Sequence, residues 1–312
     1  MQLADVDNKS IKRMIAKDSR EYWLPIVTGY MTKKLCDYME KKGFYYLNFP
    51  IINPSITQKD INISFDYKNE KLELSSSNAL KLGAASALYN KVFASMSSVR
   101  NESEDDSVHL LEFELLEAEW KSESYEELLC FIEDLLCYAI NSFNDFIEEK
   151  DLYSIFTKMQ VVNKVKRVPY SELVDILVNE NVPVVAEELG VFYDYAITKV
   201  IKEPIIVMFY PPKGSWRAKR KSENEGYIFN LILPNGYGEL IECSVRETNV
   251  DIIKNKFICA GIEEKNKWYI DALEYDSSER VGFGLGIERL CGWLTNSNDI
   301  STLQLFFRRP IV

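Results

Sequence analysis

Three stretches of the sequence carry residue types whose spacing could do chemistry. Gly282, Gly284 and Gly286 alternate along a strand-like run that leads into Glu288, Arg289 and Leu290. The spacing G-x-G-x-G lacks the third glycine of a dinucleotide fingerprint, and no phosphate-loop lysine follows. Alternate residues without side chains leave one strand face flat, and a planar base could lie there. Arg289 could then stack on the base or neutralise a phosphate; a tightly packed strand–helix corner would use the same glycines. The second stretch pairs Arg100 and Glu102 with His109, Glu112 and Phe113 across a polar loop. On a hairpin they bring a cation, an acceptor and an aromatic plate together, which suits an adenine nucleotide. His109, the only histidine, could contact a phosphate or serve a structural purpose. In the third stretch Glu239 and Glu242 could share a magnesium ion bridging phosphate oxygens, and Arg246 could bind a substrate carboxylate bidentately. An ordinary ion-pair ladder would look the same.

The elements that must position these residues are legible in outline. Apolar residues at helical spacing from Leu24 to Lys42 (Ile26, Met31, Leu35, Tyr38, Met39), closed by Gly43, predict a helix. A strand over 44–52, broken at Pro50, and a helix ending at Tyr89 follow. Ser124 and Glu127 form a candidate capping box for a long helix to Glu148, with Cys130 and Cys137 on or near its core face. Strand-like Val165–Val168 precedes a helix over 171–179. Runs at 205–210, 227–233, 239–244, 268–273 and 282–286 read as consecutive antiparallel strands with few helical connections. The class is α+β, in a single domain over residues 1–312.

The chain has 312 residues, 46% hydrophobic and 27% charged, with a net charge of −11. That composition excludes a disordered or fibrous chain. No apolar run is long enough to span a bilayer, and the start has no signal-peptide h-region. Six cysteines without a C-x-x-C pair argue against a zinc knuckle or disulfide framework, and a cytoplasmic protein with reduced thiols is expected. The acidic balance disfavours a broad nucleic-acid surface. The one basic cluster, Lys213 to Lys221, reads as a solvated loop.

Taken in order, R-x-E…H-x-x-E-F (Arg100, Glu102, His109, Glu112, Phe113), G-E-x-x-x-x-x-x-R-E (Gly238 to Glu247) and G-x-G-x-G-x-E-R-L (Gly282 to Leu290) resemble the class II aminoacyl-tRNA synthetases, most closely the aspartyl/asparaginyl subgroup. Phe44 to Pro50 is similar to the first, dimer-forming motif. Lys166 to Tyr170 with Glu188 to Gly190 resembles the intermediate segment, and Leu305 to Arg308 the family's ending. The resemblance implies an antiparallel sheet of six to seven strands flanked by helices, a homodimer, and formation of an aminoacyl adenylate from ATP. It places Arg100 on the α-phosphate and the amino acid's carboxylate, adenine between Phe113 and Arg289, Glu102 and His109 at the base and terminal phosphates, and Mg2+ on Glu239. Ser76, Asn78 and Lys81 resemble the S-P-Q-L-x-K segment of the aspartyl enzymes, where the lysine and the arginine matched by Arg246 receive the side-chain carboxylate. This pair favours aspartate over asparagine.

The core begins almost at Met1, with no N-terminal OB-fold for an anticodon, so tRNA is not the expected partner. A core of this length, with Leu231 to Glu239 and Arg246-Glu247, resembles the archaeal-type asparagine synthetases, in which ammonia attacks aspartyl adenylate. The sequence departs from the family at Asn230 (often aspartate), Val108 (often arginine), Arg280 (often histidine), and Glu242 and Cys243, which replace small residues lining the amino-acid pocket. The expected activity is ATP-dependent, Mg2+-assisted conversion of aspartate and ammonia to asparagine. The alternatives are a paralogue passing the adenylate to another amine, a carrier protein or tRNA, and an inactive regulatory paralogue.

Overall fold

The computed structural model describes residues 11–12, 19–54, 62–101, 107–180, 196–212 and 217–308. Helix α1 (Arg20–Lys41) is capped by Ser19, whose Oγ accepts the Tyr22 N–H at 3.3 Å. It stops at Gly43, whose φ of +85° is open to glycine at little cost. The strand expected over 44–52 contracts to β1 (Tyr45–Tyr46) and β2 (Ile52–Asn53). With β3 (Ser64–Tyr67) and β4 (Glu70–Leu74), β2 forms a small three-stranded sheet. Helix α2 (Ala79–Tyr89) leads into a long hairpin, β5 (Lys91–Val99) and β6 (Glu112–Lys121). Helix α3 (Tyr125–Glu149), β7 (Lys166–Pro169), α4 (Tyr170–Asn179), β8 (Ile205–Met208), β9 (Ile228–Leu233) and β10 (Gly238–Val245) follow. Helices α5 (Val250–Ala260) and α6 (Lys267–Tyr275) precede β11 (Arg280–Gly286) and α7 (Ile287–Thr295).

The main sheet runs β1-β5-β6-β11-β10-β9-β8-β7. It holds eight strands rather than six or seven, and it is mixed: β1–β5 and β7–β8 are parallel, the rest antiparallel. The expected strand over 268–273 is instead helix α6. Together with α5 it makes a helical crossover between β10 and β11, which the sequence reading did not anticipate.

Strand parity sorts the sheet into two faces. On one, Phe93, Leu116, Ala118, Trp120, Phe229, Cys243 and Phe283 bury against α1, α3 and α7 to form the main core. On the other, Leu80, Ile253, Phe257, Tyr269 and Leu273 gather α2, α5 and α6 into one cover, and Tyr170, Leu173, Ile205, Val207, Ile228 and Ile232 gather α4 with β8 and β9 into a second. Polar side chains and glycines of β6, β11 and β10 lie between these covers.

Two details tie the covers down. Arg280, fully buried, donates to the carbonyls of Gly83 (2.8 Å), Asp276 (2.5 Å) and Ser278 (3.3 Å), clasping α2 to the end of α6. Ser124 accepts from the Glu127 N–H, but the Glu127 carboxylate turns to Ser122 and Trp120, so the capping box is half formed. Cys130 is exposed and Cys137 half-buried, so neither is the core residue expected of it. Among the described residues no helix is long and apolar enough to cross a membrane.

Candidate active site

The floor of the site is the glycine strand. Gly284 pairs with Glu117 of β6 and Glu242 of β10, and Glu242 in turn with Asn230 of β9, so these four share one row across the sheet. One row away Gly282 lies between Glu119 and Ser244, and on the other side Gly286 faces Leu115. The glycines serve different purposes. A Cβ on Gly282 would stand 2.5 Å from Arg246 Nη2 and 2.6 Å from the Ala118 carbonyl oxygen. On Gly284 it would meet Leu115 and Glu117 only at 3.6 and 3.8 Å. Close packing requires the first glycine; only a flat floor requires the second.

At one end of the floor stand the nucleotide candidates. The Arg100 guanidinium lies over the Phe113 ring, 5.0 Å from its centroid. The hairpin places the two as expected, and Phe113 shares strand parity with Glu117 and Glu119. Arg289 donates to the carbonyl oxygens of Glu239 and, at 3.0 Å, Val108, joining β10 to the segment that leads into β6. The cation over Phe113 is Arg100, while Arg289 stands at the Glu239 and Val108 carbonyls. Glu288, one residue before, accepts the Glu114 N–H at 3.1 Å, which holds the start of α7 against the backbone beside Phe113. Burial pushes the Glu288 carboxyl up to about 7, opposed by hydrogen bonds from Gln304 and the Glu114 N–H. His109 is half-buried in the same segment. Glu102 and Glu188 to Gly190 lie outside the described residues.

Glu239 and Glu242 are three residues apart, which on a regular strand would send them to opposite faces. A bulge prevents this. Glu239 pairs with Ile232 and Ile241 with the adjacent Leu231, so Leu240 is the extra residue; Leu240 and Ile241 both bury in the main core. Both carboxylates therefore face the site. Glu239 Oε2 accepts Asn230 Nδ2 at 2.6 Å, while Glu242, exposed, lies 4.0 Å from Arg217 Nη2. Magnesium commonly binds through one or two carboxylates plus phosphate oxygens and water. Glu239, beside the Arg289 tether, fits that role; Glu242 leans away toward Arg217. Among the described residues no group of three or more His, Cys, Asp or Glu side chains forms a metal cage.

The other end holds the amino-acid candidates. Glu117 accepts the Ser77 hydroxyl at 2.5 Å and the Asn78 N–H at 2.6 Å, fixing the start of α2. Asn78 Oδ1 then accepts Lys81 Nζ at 3.1 Å, and the Pro50 carbonyl accepts it at 2.8 Å. Both of these partners are neutral oxygens. Burial draws the Lys81 ammonium down to about 8, with Glu117 opposing. Ser76 is buried beside this turn. Arg246, 4% exposed, donates to Glu119 Oε2 at 3.1 Å and Ser244 Oγ at 2.5 Å. Lys81 and Arg246 are thus anchored beside carboxylates two residues apart on β6, about 7 Å along the strand. A substrate carboxylate would share Arg246 with Glu119.

Cys243 does not line this pocket. It sits on the opposite face in the main core, and burial raises its thiol far above the ordinary range. Where it is described, at 217–221, the basic segment is a loop between β8 and β9 with Arg220 and Lys221 exposed, as expected, but Arg217 departs from it. Arg217 is half-buried against Glu242, with its pKa lowered by burial and by Arg246. Lys219 pairs with Glu279, and Lys221 with Glu225. Sequence reasoning missed Ser77, Glu117, Glu119 and Arg217; the period-2 spacing of Glu117 and Glu119 with Phe113 was the available signal for the carboxylates.

The model of the tRNA synthetases class II (D, K and N) matches residues 22–310. The asparagine–tRNA ligase of Buchnera aphidicola is 26% identical, covering 90% of this chain and 69% of the relative; that of Thermococcus gammatolerans is 28% identical, covering 91% and 68%. The crystal structure of asparaginyl-tRNA synthetase from Pyrococcus horikoshii, complexed with asparaginyl-adenylate, superposes with a TM-score of 0.85 at 26% identity, over 93% of this chain and 69% of that one. The Entamoeba histolytica asparaginyl-tRNA synthetase gives 0.87 at 24% identity, over 97% and 70%, a likeness of fold. With the family model spanning nearly all of the chain, the protein belongs to the class II tRNA synthetases of the D, K and N group.

Proposed function

We propose that the protein adenylates aspartate with ATP and passes the aspartyl group to ammonia, giving asparagine, AMP and pyrophosphate. The observation that carries the first step is the distribution of charge around a side-chain-free floor. Arg100 and Arg289 stand at one end of the Gly284–Gly286 strand, and Lys81 and Arg246 at the other. ATP binds with its phosphates toward Arg100 and Arg289, its base taking the Phe113 ring as the Arg100 guanidinium turns from that ring to the phosphates. The substrate's side-chain carboxylate oxygen attacks the α-phosphorus, the bond from that phosphorus to the bridging oxygen breaks, and pyrophosphate leaves. Arg100 neutralises the charge that grows on the equatorial oxygens. Magnesium, held by Glu239, would screen the phosphates when bound. Ammonia then attacks the side-chain carbonyl carbon of the adenylate, the bond to the phosphate oxygen breaks, AMP departs, and the surplus proton passes to water.

Aspartate is favoured because Lys81 is desolvated with neutral oxygens as its hydrogen-bond acceptors; a substrate carboxylate supplies the missing counter-charge. Ammonia is favoured by the likeness of Leu231 to Glu239, and of Arg246-Glu247, to the ammonia-dependent synthetases. A second copy of the chain would cover exposed apolar side chains such as Tyr45, Tyr46 and Ile52 near the resemblance to the dimer-forming motif.

The test is pyrophosphate exchange with each amino acid, followed by product analysis with ammonium. Aspartate-dependent exchange, abolished by Arg100→Ala or Arg289→Ala, and asparagine formation are expected. Exchange driven by asparagine alone would overturn the substrate; aspartyl adenylate consumed by tRNA but not ammonium would overturn the acceptor.

A further inference from the structure

Glu242 stands where its strand crosses the middle of the floor. Gly284 is flanked in its row by two carboxylates, Glu117 on β6 and Glu242 on β10. They differ in what they can still accept. Both oxygens of Glu117 are engaged, Oε1 by the Ser77 hydroxyl and Oε2 by the Asn78 N–H. The Glu242 side chain is 48% exposed and makes one ion pair, at 4.0 Å with Arg217. It therefore stands next to Gly284 in the row, turned toward Arg217, with acceptor capacity remaining. The bulge at Leu240 sets this, because regular pairing would not keep Glu239 and Glu242 on one face.

A carboxylate at the midpoint of a site whose two ends are cationic is matched by a ligand that is anionic at both ends and cationic between them. A β-aspartyl adenylate has that pattern: phosphate at one end, the free α-carboxylate at the other, and the α-ammonium between them. We infer that Glu242 is a specificity-determining residue that receives the substrate's α-ammonium group beside Gly284, with Arg217 as its ion-pair partner. This rests on the adenylation reading above. It assigns Glu242 to the amino acid rather than to a metal ion.

The experiment compares two non-hydrolysable adenylate mimics by titration calorimetry: β-aspartyl-sulfamoyl adenosine, linked through the side-chain carbonyl, and its succinyl counterpart, which lacks only the α-ammonium. A charge-assisted contact of this kind corresponds to about ten- to hundred-fold in affinity. The wild-type protein should prefer the amino compound by that factor. Glu242→Gln should lose most of the preference while binding the succinyl compound as before, and Glu242→Asp should keep part of it. Melting temperature and succinyl binding report on folding; should Glu242→Gln not fold, the wild-type preference and Glu242→Asp carry the test. Equal wild-type affinity for the two compounds, or a preference untouched in Glu242→Gln, would overturn the assignment while leaving adenylation intact. So would a changed magnesium dependence of ATP binding in Glu242→Gln, which would return the carboxylate to the metal. Failure of the wild-type protein to bind either compound would instead remove the adenylation reading, and this inference with it.

Discussion

Replacing Gly282 and Gly284 separately with alanine tests whether the glycine strand serves packing, ligand binding or both. At Gly282 the new Cβ would lie 2.6 Å from the Ala118 carbonyl oxygen on the neighbouring strand and 2.5 Å from Arg246 Nη2. The backbone contact cannot be relieved by a rotamer, so β6 and β11 must separate. Overpacking of this kind costs on the order of 1–3 kcal/mol, and the buried Arg246–Glu119 pair at 3.1 Å moves with it. At Gly284 the nearest atoms are Leu115 Cδ2 and Glu117 Cγ, at 3.6 and 3.8 Å, and the backbone does not require glycine by its φ. Alanine there should be neutral or stabilising by about 0.4–1 kcal/mol through the unfolded chain. The methyl nevertheless raises the floor by about 1.5 Å, one carbon–carbon bond, and should weaken adenylate-mimic binding at least ten-fold. Urea unfolding and calorimetric binding on both variants decide the matter. A Gly282→Ala protein as stable as wild type would refute the packing argument, and a Gly284→Ala protein with unchanged ligand affinity would refute the floor.

Two further outcomes depend on pH. Lys81, drawn down to about 8 from 10.5, holds fewer protons in the folded protein than in the unfolded chain between those values. That contribution to stability therefore rises with pH across the window. A bound carboxylate should reverse the shift, so aspartate binding at pH 8 should take up about half a proton and weaken roughly ten-fold per unit above it; enthalpies independent of buffer ionisation would contradict this. Glu288 shows the opposite sign. Raised from 4.5 to about 7, it holds its proton more tightly when folded, so stability should fall as pH climbs from 4.5 to 7, by up to about 3 kcal/mol. Glu288→Gln should flatten that slope in urea titrations at pH 5 and 8, and an unchanged slope would assign it to another group.

The α+β class, the β5–β6 hairpin and the glycine strand were legible because each has a short-range signature: alternation, a polar loop, bare positions at period two. The residues over 268–273 were misread because aromatic and β-branched residues imitate a strand over so short a window. Their burial at 269, 270 and 273 is that of one face of a helix. Cys130 lies one position off the apolar stripe of α3, which the spacing alone did not resolve. Arg217 sat inside a basic run and looked like its neighbours; what distinguishes it is Glu242, which reaches it only once β10 is laid in the sheet. The same holds for Cys243, whose face is decided by a bulge three residues earlier.

That one inserted residue, Leu240, has a consequence for how the strand can change. It acts as a parity switch that keeps Glu239 and Glu242 on one face of the sheet. Deleting it, with the downstream pairing kept, would rotate Glu239 into the apolar layer beneath the sheet, where an unpaired carboxylate is costly. Adding a residue farther along would exchange the roles of Glu242 and Cys243. Substitutions can retune either half of this strand, but its length is constrained by both.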